Sequence, residues 1–135
     1  MSLRRKRPGA AHAYREGYLA SPAWRARRRR FLTERMGPEG SLWCECCEDR
    51  CDPQDVHLHH QDYAGVSYHD GQWLAMERDE DLVVLCTWCH RYLHAMWDRD
   101  PGWSLLDRRE ATQRSISTIR RSLLVAATKV TGGML

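Results

Sequence analysis

No run of apolar residues in this 135-residue chain approaches the length a membrane-spanning helix requires. The basic start, Met1-Ser2-Leu3-Arg4-Arg5-Lys6-Arg7-Pro8, has no apolar stretch behind it, which argues against a secretory signal. Gly and Pro are not enriched and aromatic content is ordinary, although six of the twelve aromatics are Trp. Acid is scarce at one end. Residues 1–35 carry eleven Lys/Arg against Glu16 and Glu34, whereas residues 36–135 carry ten against sixteen acids. The net charge of +3 therefore hides a cationic arm ahead of a mildly acidic body. Such an arm favours a polyanionic partner, nucleic acid first. The length fits one domain with a modest core. The expected compartment is the cytoplasm, where six cysteines serve better as metal thiolates than as disulfides.

Residues 1–14 read as a flexible basic leader, with Pro8-Gly9 arguing against a helix. Ser21-Pro22 is a helix start, with Ser as cap and Pro at the first helical position, and Gly37-Pro38 ends the helix near Met36. Its inward stripe is expected to hold Trp24, Phe31 and Met36, with Ala20 and Leu32 nearby. Arg25, Arg27, Arg28, Arg29 and Arg30 then cover most of the remainder and are candidates for DNA phosphate contact.

Two C-x-x-C pairs, Cys44/Cys47 and Cys86/Cys89, can supply the four thiolates of a structural zinc. Cys46 and Cys51 are surplus, and either can replace a neighbour in that tetrad, since Cys47 and Cys51 also form a workable pair. Between the pairs, Asp55 to His60 alternates with period two, putting Val56 and Leu58 on one face and His57 and His59 on the other. For His59 and His60 to meet at one phosphate, the strand is expected to end or twist sharply at His60. Residues 64–81 read as a long loop with a late acidic cluster, Glu77 to Asp81, that a solvated turn would explain. Leu82 to Leu85 is a second strand, and a helix from about Thr87 carries His90 and His94 on one face. After Asp100-Pro101-Gly102, Ser104-x-x-Asp107 reads as a capping box for a last helix. Ile116, Ile119, Leu123, Ala126 or Ala127, and Val130 form its seam, which docks on the core or on a second subunit.

Taken together, YLASPAWRARRRRFL, the first C-x-x-C, VHLHHQDY and ERDEDLVVLCTWCHRYLH resemble the HNH endonuclease family in its zinc-knuckle subgroup, over Tyr18 to His94. The resemblance implies an α+β fold with a ββα-metal (His-Me finger) core. It divides the chain into the leader at 1–14, a nuclease domain at 15–98 and a helical extension at 99–135. Within the nuclease domain the arginine-rich helix covers about 22–36 and the ββα core about 55–98. His59 resembles the first metal ligand, His60 the general base, His90 the distal metal ligand, and His94 an additional ligand. Asp81 stands where the family name has Asn, a residue that braces the loop near the base. Glu77 matches an acidic position of the subgroup to which no role is assigned.

The implied activity is metal-dependent hydrolysis of double-stranded DNA, leaving 5′-phosphate and 3′-hydroxyl ends. Zinc is the expected structural ion, and Mg²⁺, Mn²⁺, Ni²⁺ or Zn²⁺ suits the catalytic imidazoles. A homodimer through the C-terminal helix, or phage packaging machinery, is a further candidate partner, and no membrane is expected. The competing reading is a zinc-knuckle DNA-binding or scaffolding protein that keeps the fold without the chemistry.

Overall fold

The computed structural model describes residues 9–132, with side chains from 14 to 128. The most basic stretch of the expected leader, residues 1–8, lies outside the described residues. The fold is α+β, rich in helix, with three small two-stranded sheets. None of its helices, among the described residues, is long and apolar enough to cross a membrane.

The leader is not all flexible. Helix α1 spans Gly9–Leu19 despite the Pro-Gly step before it. Its stability comes from tertiary contact rather than propensity. Tyr14 and Tyr18 both pack edge-on against Trp73, and Tyr18 is fully buried. Helix α2, Pro22–Arg35, begins as expected: the Ser21 hydroxyl accepts from the Trp24 N–H, and Pro22 takes the first position. Its buried residues are Trp24, Arg27, Phe31 and Leu32. Ala20 and Met36, expected inward, are exposed: Ala20 precedes the Ser21 cap and lies outside the helix, and Met36, at the C-cap, is off the face that positions 24, 27 and 31 bury.

Strands β1 (Leu42–Trp43) and β2 (Arg50–Cys51) frame the first C-x-x-C turn. Strand β3 (Val56–His60) pairs antiparallel with β6 (Leu82–Cys86), which leads directly into α3 (Thr87–Arg99). β3 ends at His60, as expected; it is paired in register up to that residue, opposite Leu82, and one further backbone bond joins the Gln61 N–H to the Asp81 carbonyl at 2.9 Å.

The expected loop at 64–81 is instead a hairpin, β4 (Val66–His69) and β5 (Gln72–Ala75). Asp70 and Gly71, with φ of 49° and 77°, make the two-residue turn whose twist suits paired strands. At its base, Gly65 lies so close to the Met76–Glu77 backbone that a Cβ would sit 2.5 Å from Met76 atoms.

The last helix, α4 (Arg108–Gly132), is capped by Asp107 rather than Ser104. The Asp107 carboxylate accepts from the Glu110 N–H, while the Ser104 hydroxyl donates to the Pro101 carbonyl inside a short helical turn. Its seam is buried at Ile116 and Ile119 and half-buried at Leu123; Ala126 and Ala127 are exposed, and Val130 lies outside the described side chains. The stretch expected as an extension is thus docked on the core along its first half.

Candidate functional site

The first C-x-x-C turn is built for a metal. The N–H groups of Cys46 and Cys47 point at the Cys44 sulfur, at 3.4 and 3.5 Å, and the Cys89 N–H points at Cys86, at 3.3 Å. Burial alone would raise the Cys44 thiol, but backbone donors of Cys86, Cys47 and Cys46 outweigh it and hold the thiol below its ordinary value. Its neighbours go the other way. Burial and the nearby sulfurs push Cys47 up to about 12, and Cys89 is raised for the same reasons. Four thiols packed this closely cannot all ionise without a cation among them.

Cys44, Cys47, Cys86 and Cys89 offer sulfurs all within 4.8 Å of one another and can hold an ion such as zinc. The Cys47–Cys86 separation of 3.9 Å is close to the roughly 3.8 Å edge of a tetrahedron with Zn–S near 2.3 Å. Cys46 and Cys51 stand outside the group, with Cys46 against the Ile116 carbonyl and Cys51 against that of Asp49. The knuckle is fastened to β6 by Glu45, whose carboxylate and N–H both engage the Val84 backbone. Arg120 of α4 closes it from outside by donating to the carbonyls of Cys46 and Glu45.

The second cluster is imidazole. His59, on β3, and His90 and His94, one turn apart on α3, offer ring nitrogens within 4.8 Å of one another. His90 Nε2 and His94 Nε2 are 3.0 Å apart, near the roughly 3.3 Å expected between nitrogens sharing a tetrahedral ion. His59 Nε2 is held by the Thr112 hydroxyl at 2.8 Å, while its Nδ1 is buried with no partner. An orphaned ring nitrogen beside two converging ones is the feature expected of a ligand position. Burial, reinforced by Arg108 and the other imidazoles, lowers His59 to about 2. Burial likewise lowers His90 to about 3 and brings His94 down. All three therefore keep their lone pairs at neutral pH, as metal ligation requires. A fourth imidazole, His57, meets His90 Nδ1 at 2.9 Å and fixes the ring from behind.

His60 faces the opposite side of β3. Its Nε2 lies 2.7 Å from Glu77 Oε2, with both side chains buried. The ring is stacked on Tyr63 at 4.4 Å and flanked by Trp24 at 4.6 Å. The same Glu77 oxygen accepts from the Tyr18 hydroxyl at 2.6 Å. Burial works against the Glu77 charge, but the hydrogen bonds from His60 and Tyr18 prevail and keep the carboxyl below its usual range. An ionised Glu77 can only accept, so the His60 Nε2–H donates to it, and His60 lines a cleft together with His59, His90 and His94.

Asp81 does not touch this ring; it holds the turn before β6, its carboxylate accepting from the Arg78 N–H at 3.0 Å. Its buried carboxylate is taken by Arg78 and by Arg109 of α4, at 3.1 and 2.6 Å, and its carbonyl accepts from the N–H of Gln61, next to His60. Nor is the acidic cluster a solvated turn, since Glu77 and Asp81 are both buried.

Two of the five arginines assigned to DNA do other work. Arg27 is buried, donating Nε and Nη2 to the Glu77 carbonyl and Nη2 to Asp79. Arg28 is half-buried and donates to the Val56 carbonyl. Arg25, Arg29 and Arg30 are exposed.

Tyr18, Thr112, Arg108 and the role of Glu77 escaped the sequence reading, because each meets its partner across 17 to 59 residues of chain. No protein-family model, curated protein or solved structure matches the chain.

Proposed function

We propose that the protein is a metal-dependent DNA endonuclease with an HNH-type ββα-metal core formed by β3, β6 and α3. One observation carries the reading: neighbouring residues of β3 are prepared for two different tasks. His59 belongs to a neutral three-imidazole cluster with an unpartnered nitrogen, while His60 is anchored by a buried carboxylate. Ligand and base side by side is what hydrolysis of a phosphodiester needs.

His59, His90 and His94 would hold the catalytic ion, and Cys44, Cys47, Cys86 and Cys89 the structural zinc. Bound at the imidazoles, a divalent ion supplies Lewis-acid stabilisation for charge on the phosphate and on the leaving oxygen. The chain supplies the rest. With Glu77 fixing its proton on Nε2, His60 takes a proton at Nδ1 from the water as its oxygen bonds to phosphorus; the P–O3′ bond breaks, and the 3′ oxygen takes a proton from solvent, leaving 3′-hydroxyl and 5′-phosphate ends. Tyr18 holds Glu77 in place from the other side. Thr112 and His57 orient the ligand rings at their far nitrogens. The exposed Arg25, Arg29 and Arg30 grip backbone phosphates with little sequence preference.

The test is a supercoiled-plasmid nicking assay with Mg²⁺, Mn²⁺, Ni²⁺ or Zn²⁺ supplied in turn. His60→Ala should lower cutting by about 10²- to 10⁴-fold with zinc content and DNA binding retained. Equal cutting by wild type and variant refutes the base. A wild type that binds DNA yet never cuts it favours the non-catalytic zinc-knuckle reading.

A further inference from the structure

Beside the imidazole cleft lies a second hollow, of about 280 Å³, lined chiefly by Trp97, Trp103, Leu106 and Ala111, with Arg15 and Arg108. Both arginines also line the imidazole cleft, so the two hollows share a basic wall. Arg108 is fixed in that wall. Its Nε donates to the His60 carbonyl, and its guanidinium lies over the rings of Tyr63 and Trp97 at 5.0 and 5.3 Å. No carboxylate among the described residues pairs with it. Arg15, from α1, lies over the same Tyr63 ring at 5.4 Å. Glu16 also lines the imidazole cleft but not this hollow; two guanidinium groups over one ring, neither in an ion pair with a described residue other than Glu16, suit an anion between them. Trp97 belongs to both surroundings: its ring is 5.6 Å from His59 and 5.4 Å from His94, and its Nε1 donates to Ser115, which fixes the indole.

We propose that this hollow is a nucleobase subsite. A DNA phosphate rests on Arg15 and Arg108, and the adjoining base, outside any duplex stack, lies against Trp97 and Trp103. The inference rests on the endonuclease reading for its ligand and narrows the substrate class to DNA with an unpaired or extrahelical nucleotide beside the cleaved bond. Aromatic side chains and arginine at the edge of a backbone-binding groove are the features that hold unstacked bases. A base inside an intact duplex has its faces covered and cannot occupy such a pocket.

The test compares two fluorescein-labelled hexamers of equal phosphate charge, hexathymidylate and its abasic counterpart, by fluorescence anisotropy on the full chain without divalent ions at the imidazole site. Wild type should bind the base-bearing strand about five- to hundred-fold more tightly than the abasic one. Trp103→Ala should bring the two affinities together while leaving abasic binding unchanged, and Trp103→Phe should restore the preference. Equal affinities in wild type, or a preference that survives in Trp103→Ala, overturn the subsite. The parallel plasmid assay separates the two readings. Nicking that depends on His60, without a base preference, sinks the pocket alone; a base preference without nicking sinks the endonuclease alone.

Discussion

Arg27 and Arg29 sit two positions apart in a run of arginines, yet their substitutions should produce opposite phenotypes. Replacing Arg27 by Met keeps most of the aliphatic stem and removes the guanidinium, which lies 5.9 Å from the centre of the Phe31 ring. That group donates at 3.1 and 2.8 Å to the carbonyl of Glu77, the residue that anchors His60. A buried bond to a charged donor is worth roughly 1.5–3 kcal/mol, and its loss also strands a buried carbonyl. The ion pair to Asp79 adds little, because Asp79 is half exposed. The expected loss is about 3 kcal/mol, or about 10 °C in Tm for a chain of this size. Nicking should fall with it, since the Glu77 segment is released, while the salt dependence of DNA binding keeps its slope.

Arg29→Ala should do the reverse. Tm should shift by no more than about 0.5 kcal/mol equivalent, and the slope of log affinity against log salt should flatten by about 0.9. Thermal unfolding followed by tryptophan fluorescence, together with binding titrations at four salt concentrations, measures both. An Arg27→Met protein with wild-type Tm and a flattened slope would refute the packing argument and return Arg27 to the DNA surface.

Gly65→Ala should cost about 1–3 kcal/mol, because the new Cβ meets backbone at Met76 and Glu77 rather than a movable side chain, and urea unfolding reads that loss. Cys86→Ser removes both a thiolate and the sulfur that caps α3, so zinc per chain should fall towards zero and near-ultraviolet dichroism should be lost. That severity follows from structural zinc being worth roughly 10–16 kcal/mol in small peptides. With the imidazole site kept free of ions, acid should destabilise the fold well before the carboxylates titrate. His59 and His90, ordinarily near 6.5, are held at about 2 and about 3, so their contribution is fully present above 6.5 and lost as pH falls. By pH 5 each should have cost about 2 kcal/mol. Urea unfolding of wild type and His90→Asn at pH 7.5 and 5.0, at equal zinc content, should show the variant losing about 2 kcal/mol less. Parallel losses would show that His90 is not held neutral.

The features with a local signature were legible. Ser21-Pro22 opens α2, the two C-x-x-C pairs meet, and His90 and His94 share a face of α3 because one helical turn separates them. Some signals were present and outweighed. Asp70-Gly71 between alternating residues is a hairpin turn, and Asp107-x-x-Glu110 is as good a helix start as Ser104-x-x-Asp107. The burial of Arg27 was also readable, since positions 24, 27 and 31 lie on one helical face whatever residue fills them. Glu77 and Thr112 are different. Their roles come from surfaces that meet only after folding, and a buried carboxylate or hydroxyl carries no periodicity of its own.

Two adjacent histidines on a strand that stays paired must face opposite ways, and the paired register of β3 through His60 imposes this. The fold turns the constraint to use. The His59 side is closed by α3 and by Thr112 of α4, whose contacts leave one bare nitrogen among imidazoles. The His60 side is closed by α1 and α2, whose Tyr18 and Trp24 surround a ring tied to Glu77. Separate surroundings give neighbouring residues of one type different settings, one ring with an unpartnered buried nitrogen and the other hydrogen-bonded to a buried carboxylate. The two sides meet at the cleft that both histidines line, where Arg108 reaches over the strand end to the His60 carbonyl. Helix α4 thus touches both imidazole environments through Arg108 and Thr112 and the thiolate knuckle through Arg120. The division of labour on β3 therefore depends on residues more than forty positions away.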